Sequence, residues 1–291
     1  MSLLGRVLGE RAARQLARSP SFRVGAALVV ALLVLALVVP LVVGDPNASD
    51  FAHGIAQDGS PGGPTARHLL GTDNIFRDEL ARLAHGARLS LAIAVFATGI
   101  STALGALVGI VSGYYAGRAV DTIAMRVVDV LLSFPYLLLV MAIGAALERT
   151  SALTVLLVLG LTSWLGTARL VRAKTLEVRE KGFVEAARAL GLSEARLLLR
   201  HVLPNVVSTL VVVSTVSMST MILAESVLSY LQVGVQPPTA TWGRMLFEGQ
   251  ASMTLTPRLV ALPGLFILAS VLGFNLLGEG LRDALDQRSV R

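Results

Sequence analysis

Six apolar stretches, each about 20 residues long, leave this chain few ways to fold. Residues 24–43 carry no charge and as a helix rising 1.5 Å per residue would span roughly 30 Å, the thickness of a bilayer's hydrocarbon core. The others, at 90–113, 123–147, 152–168, 206–228 and 259–281, are apolar on all sides, the pattern of a helix with no face turned to water. With 54% hydrophobic residues, 15% charged residues and a mean hydropathy of +0.71, the chain has too little polar surface to clothe a water-soluble body of its size. The sequence therefore predicts an all-α integral membrane protein with six transmembrane helices. The first stretch is too long for a secretory signal core and has no small-residue cleavage site after it, so it reads as a retained helix.

Basic residues orient the spans. Arg6, Arg11, Arg14, Arg18 and Arg23 lie in the N-terminal segment 1–23, and Arg282, Arg288 and Arg291 in the tail 282–291. An even number of spans puts both termini on one side, which the positive-inside rule makes cytoplasmic. Arg118, Arg126 and the segment 169–204, with Arg169, Arg172, Lys174, Arg179, Lys181, Arg188, Arg196 and Arg200, then lie inside as well. Arg67, Arg77, Arg82, Arg88, Arg149, Arg244 and Arg258 remain outside, a minority of the 25 Lys and Arg. This asymmetry accounts for a pI near 10.4 without nucleic acid. Loop 44–87 would be external, and 88–281 would form a five-helix core interrupted by a cytoplasmic loop at 172–205.

No residues suited to catalysis stand out. A phosphate-cradling Gly-rich loop, a His-Glu-x-x-His pair and a Gly-x-Ser-x-Gly elbow are all missing from the sequence. Zero cysteines exclude disulfides and thiol chemistry, and His53, His68, His85 and His201 are too scattered to suggest a metal site. The chain reads as non-enzymatic.

Polar features within the spans are few. Ser101, Gly105, Gly109, Gly113 and Gly117 recur every four residues, a ridge without side chains against which another helix can pack closely. Asp129 can pair with Arg126 three residues earlier. Glu225, near the outer end of the fifth span, must face protein or water. Pro135 marks a kink, and the stretch 75–83 suggests a helix lying at the membrane surface. In the second external segment, Pro237 and Pro238 exclude a helix, and Trp242 suits the interface belt. A secondary carrier or channel would use a denser set of buried acids.

The segment between the fourth and fifth spans is the most patterned. Residues 183–190 are helix formers, Gly191 can stop the helix in a left-handed conformation, and Ser193 can cap a second helix that Pro204 and Asn205 break before the next span. Phe183, Val184, Ala187 and Leu190 would form an exposed apolar face suited to a protein groove.

Glu185-Ala186-Ala187, Gly191 and Leu203-Pro204 resemble the signature of the permease subunits of bacterial ATP-binding-cassette importers. The resemblance narrows to the dipeptide, oligopeptide and nickel branch through Gly71-Thr72-Asp73, Gly86-Ala87-Arg88-Leu89-Ser90-Leu91, Ser133-Phe134-Pro135, and the stretch from Glu225 through Pro237-Pro238 to Trp242-Gly243. Phe76 and Gln232 stand where that branch usually has glycine, and Gln287 where it usually has proline.

The resemblance implies half of an alternating-access pathway for peptides, or for nickel or another small solute, in the bacterial inner membrane. It implies a second homologous permease, two cytoplasmic ATPases carrying ATP and Mg, and an external substrate-binding protein, with no cofactor on this chain. Phe183, Glu185, Ala186, Ala187, Leu190, Gly191, Leu192, Ser193 and Pro204 would form the ATPase-coupling element. Pro135, Glu225, Gln232, Gln236 and Trp242 are pathway or gating candidates.

Overall fold

The computed structural model describes residues 16, 18–147 and 151–286. Arg6, Arg11, Arg14, Arg149, Gln287, Arg288 and Arg291 lie outside the described residues.

Helix α1, Pro20–Leu37, starts four residues earlier than the apolar run: Ser19 accepts from the Phe22 N–H and Pro20 occupies the first turn, where its missing N–H costs nothing. Helix α2, Glu79–Tyr114, begins at Asp78, which accepts from the Ala81 N–H. Of the stretch 75–83 expected as a helix on the membrane surface, residues 75–78 are turn and bridge leading to the Asp78 cap and residues 79–83 are the first turn of this 36-residue helix, which runs on without a proline.

The third expected span is two helices, α3 (Ala119–Leu132) and α4 (Tyr136–Ala146), at 84° to one another. Pro135 has no N–H to give and biases Phe134 away from helical geometry, so the expected kink becomes a break. The arms are roughly 21 and 16 Å long at helical rise, and neither alone matches a hydrocarbon core of about 30 Å. Helix α5 (Ala152–Thr162) meets α6 (Trp164–Arg179) at Ser163, and the two extend the fourth span well past Ala168. Together with α1, α2 and two segments below, this gives, among the described residues, five helical segments long and apolar enough to cross a membrane, or six with the bent pair.

The short helix α7 (Gly182–Ala189) follows. Next come a single turn α8 (Glu194–Leu197), a π-helical turn at Leu198–Val202, and α9 (Leu203–Tyr230). Pro204 does not break the chain as expected. It falls in the first turn of α9, and the wider π turn carries the helical path through from Glu194 to Tyr230. Helices α10 (Trp242–Gln250) and α11 (Arg258–Asp286) complete the chain.

α2 is the central element, packed along α5, α6 and α9, while α11 packs against α1, α9 and α10. The glycine ridge explains the α2–α6 contact. A Cβ added at Gly105, Gly109 or Gly113 would sit 2.6 Å from the Thr167 Cβ, 2.6 Å from the Ala168 carbonyl oxygen or 2.5 Å from the Arg172 carbonyl oxygen. Ser101 is buried on the same face. Gly117 is not part of the ridge: it lies past the end of α2 at φ +82° with open space around it, and serves the turn into α3. Asp129 pairs with Arg169 of α6 rather than with Arg126. An interhelical partner replaces the local one because α3 packs on α6.

Candidate functional site

The two ends of the bundle carry different polar architecture. At the end holding α7, a small cluster of Tyr114, Val171, Val178, Val184, Ala187, Leu197, Val202 and Val206 is buried apart from the main core. Val184 and Ala187 therefore form the anchored back of α7, not its exposed face as expected. The eight-residue helix has only one apolar stripe, and the bundle takes half of it. The outer surface is Phe183, Glu185, Ala186 and Leu190, the last 82% exposed.

Gly191 ends α7 at φ +80°, its N–H bonded to Arg188 O at 3.0 Å while the Leu192 N–H reaches back to Ala187 O at 3.3 Å. This is the left-handed glycine stop. Ser193 occupies the N-cap position of α8 with no side-chain cap bond, and Leu192 packs against the buried cluster.

Polar contacts fasten this region to α2. The Tyr114 hydroxyl donates to the Glu194 carboxylate and accepts from Arg188 Nη2 at 3.5 Å, and Arg188 Nε lies 3.9 Å from Glu194. Arg179 Nη1 donates to Tyr114 O at 2.8 Å. Nearby, Asp121 accepts twice from Arg172, at 2.6 and 2.8 Å, as well as from the Ser112 hydroxyl and the Gly117 N–H. Sequence reasoning missed Tyr114, Asp121 and Glu194. Their partners are far along the chain, and only the four-residue glycine spacing, which presses α2 onto α6, hinted at this proximity.

Beside α7 a groove of about 780 Å³ runs between α6, α9 and α11, with Lys174, Lys181 and Arg282 among its lining residues and Pro204 and Asn205 at one end.

At the opposite end, segment 44–78 and the chain after α9 are joined by buried charge. Arg82, 1% exposed, contacts Glu248 at 2.7 Å and Asp73 at 3.3 Å, and Arg77 contacts the same two carboxylates at 2.8 and 2.6 Å. Arg258 donates to the carbonyls of Leu70, Gly62 and Thr72 at 3.0, 2.7 and 3.2 Å. His68 bridges Asp78 and Asp50 at 2.8 and 3.3 Å. Desolvation acts to raise the Asp50 carboxyl, but hydrogen bonds from His53 and His68 and the Arg67 charge hold it down at about 2.

Of the pathway or gating candidates, Glu225, Gln232, Gln236 and Trp242 lie around this end. Glu225 is fully buried and faces protein, accepting from the Ser90 and Ser229 hydroxyls at 3.0 and 2.8 Å. Ser229 in turn accepts from the Val235 N–H, and Ser90 from the Trp242 N–H, so this carboxyl group ties the chain after α9 to α2. Trp242 does not face the membrane as an interface-belt residue would. It is fully buried, stacked on Phe266 with its Nε1 donating to Leu83 O at 3.3 Å, because Gly243 packs directly against the Ser226 backbone and draws it inward. Gln232 and Gln236 are exposed and bonded to each other, Gln236 Nε2 to Gln232 O at 2.9 Å, and Pro135 is exposed at the α3–α4 bend. Among the described residues no group of three His, Asp or Glu side chains is placed to hold a metal.

Comparison with known proteins agrees with this architecture. Residues 105–291 match the family described as "Binding-protein-dependent transport system inner membrane component". Glutathione transport system permease protein GsiD from Escherichia coli O1:K1 / APEC is 41% identical over 263 residues, covering 90% of this chain and 85% of the relative. GsiD from Shigella boydii serotype 4 (strain Sb227) is 41% identical over the same shares. A solved structure described as "Crystal structure of an amino acid ABC transporter with histidines" superposes with a TM-score of 0.51 at 17% identity, over 68% of this chain and 90% of that one, a likeness of fold. The chain belongs to the binding-protein-dependent transport system inner membrane components, as a non-catalytic permease subunit of an ATP-binding-cassette importer in the dipeptide, oligopeptide and nickel branch.

Proposed function

We propose that this permease forms half of a peptide pathway across the inner membrane, working by alternating access with both termini in the cytoplasm. The relatives named for glutathione transport favour a short peptide over nickel or another small solute. The other half is a second, homologous permease, cargo arrives from an external binding protein, and two ATPases carrying ATP and Mg supply the energy from the cytoplasmic side.

The observation that supports this coupling is the two-faced character of α7. Its back is buried by Val184 and Ala187, while Phe183, Glu185 and Leu190 project from the bundle as a surface for an ATPase cleft. Nucleotide-driven movement of the ATPases pushes α7, and the Tyr114, Arg188 and Glu194 contacts pass the displacement to α2 and to the α8–α9 rod. ATP biases the bundle only through its different affinity for the two arrangements of the complex.

The test pairs Glu185→Ala with Gly191→Val. The first removes a charge from the projecting face; the second forces a β-branched residue into a left-handed conformation. Both should leave the subunit in the membrane yet lower copurified ATPase and peptide uptake by more than tenfold. Undiminished docking and uptake in both variants would refute the assignment.

A further inference from the structure

The groove beside α7 has a one-sided chemistry. Its α9 wall is a single helical face, running from Asn205 through Ser208, Thr209 and Ser217 to Thr220, roughly 22 Å of hydroxyl and amide groups interleaved with valines. Cations gather towards the α7 end: Lys174 on α6, Lys181 just beyond it, and Arg282 near the end of α11. No Asp or Glu is among the described lining residues.

The positive-inside rule accounts for cations at this end. It does not account for the missing carboxylates, because Asp and Glu contribute little to that rule and the same stretch of chain carries Glu177 and Glu180 off the groove. Glu177 contacts Lys174 and Lys181 at 2.8 and 3.2 Å, but it is 52% exposed and such pairs are weak and exchangeable. Each lysine can turn to another carboxylate at little cost. A cleft with low-dielectric walls and an excess of one sign of charge at its mouth concentrates solutes of the opposite sign.

We propose that this groove binds the free carboxylates of acidic solutes at its Lys174, Lys181 and Arg282 mouth, so that the permease itself favours anionic over neutral cargo. The inference rests on the groove being this subunit's share of the pathway. The hydroxyl ladder hands the solute's polar groups along the span, and the cations hold the carboxylate at the cytoplasmic exit. Selection at this point adds to whatever the binding protein imposes outside.

The probes are the tripeptides Ala-Glu-Ala and Ala-Gln-Ala, nearly isosteric and one charge apart, titrated by saturation-transfer NMR against the assembled complex without binding protein. Ala-Glu-Ala should bind roughly fivefold more tightly, the size of one partly solvated ion pair. The double variant Lys174→Gln, Arg282→Gln should bring the two peptides level, and Lys174→Glu should invert the order. Copurified ATPase confirms that each variant assembles; Lys181 is left in place because it is the N-cap residue of α7.

Equal binding of the two peptides to the native complex, no binding of either, or a preference that survives the double variant would overturn the inference. The pathway reading is tested separately by Ser217→Cys carrying a bulky maleimide. Unimpaired uptake by the labelled complex removes that reading, whereas blocked uptake without charge preference removes only the inference.

Discussion

The loop end and the α7 end of this bundle are fastened by different physics. At the loop end, Arg77 and Arg82 share Asp73 and Glu248 out of water, and Glu225 is enclosed by hydroxyls. At the α7 end, Arg188 reaches the Tyr114 hydroxyl and Glu194 only at 3.5 and 3.9 Å with both charged side chains substantially exposed, and α7 rests on little more than Val184 and Ala187, although the Asp121–Arg172 pair between α3 and α6 nearby is as close as the loop-end network. Buried charge pairs are expensive to separate, whereas exposed ones exchange readily with water. The loop end is held by buried charge, whereas the outer contacts of α7 are open to water.

Removing one member of the buried network should do the most damage. Arg82→Leu strands Asp73 and Glu248 with one cation fewer and should lower stability by about 3–5 kcal/mol, read as a large drop in the midpoint of thermal unfolding of the detergent-solubilised complex. A drop no larger than that of a surface Arg would show the network to be solvated and erase the contrast between the ends.

Tyr114→Phe should act differently. It deletes the hydroxyl between Arg188 and Glu194, costs about 1 kcal/mol or less in stability, and lowers transport per ATP hydrolysed severalfold while ATPase still copurifies. An unchanged transport-to-hydrolysis ratio would show that α7 moves independently of α2.

The smallest effect concerns backbone strain at the loop end. Phe76 and Gln232, the two residues standing where the branch usually carries glycine, have φ of 63° and 64°, the left-handed region that costs a side-chain-bearing residue roughly 1–2 kcal/mol. Gln232→Gly should raise stability by roughly 0.5 kcal/mol, because greater freedom in the unfolded chain offsets part of the relief. Phe76→Gly should gain nothing, because it also loses the edge contact between Phe76 and Phe51 at 5.6 Å. Thermal unfolding of both variants checks the sign and the order.

These two positions show how far the sequence can be read. That Phe76 and Gln232 depart from a glycine pattern is visible in the sequence, but the left-handed backbone that gives the departure its energetic meaning is not. Apolar runs disclosed the spans because burial in lipid is a local demand on every residue of a helix. The stop at Gly191 and the close helix approach at Gly105, Gly109 and Gly113 were legible for a similar reason: each depends on a residue type at a fixed spacing.

Pairings across long separations were hidden. Arg82 with Glu248, Arg172 with Asp121 and Tyr114 with Glu194 join residues whose neighbours in sequence say nothing of one another. The inward turn of Trp242 belongs here too, since an amphipathic aromatic near a membrane end suits an interface equally well until Gly243 is found against Ser226. The groove lay between these cases: its hydroxyls recur visibly along α9, but its cations come from α6 and α11.

The π turn at Leu198–Val202 joins α8 to α9 without a hinge, so the path from Glu194 to Tyr230 is 37 residues, roughly 55 Å at helical rise and nearly twice the hydrocarbon thickness. Its foot lies beside α7 and its head holds Glu225, so a single helical path reaches from the exposed contacts at one end of the bundle to the buried carboxyl group at the other.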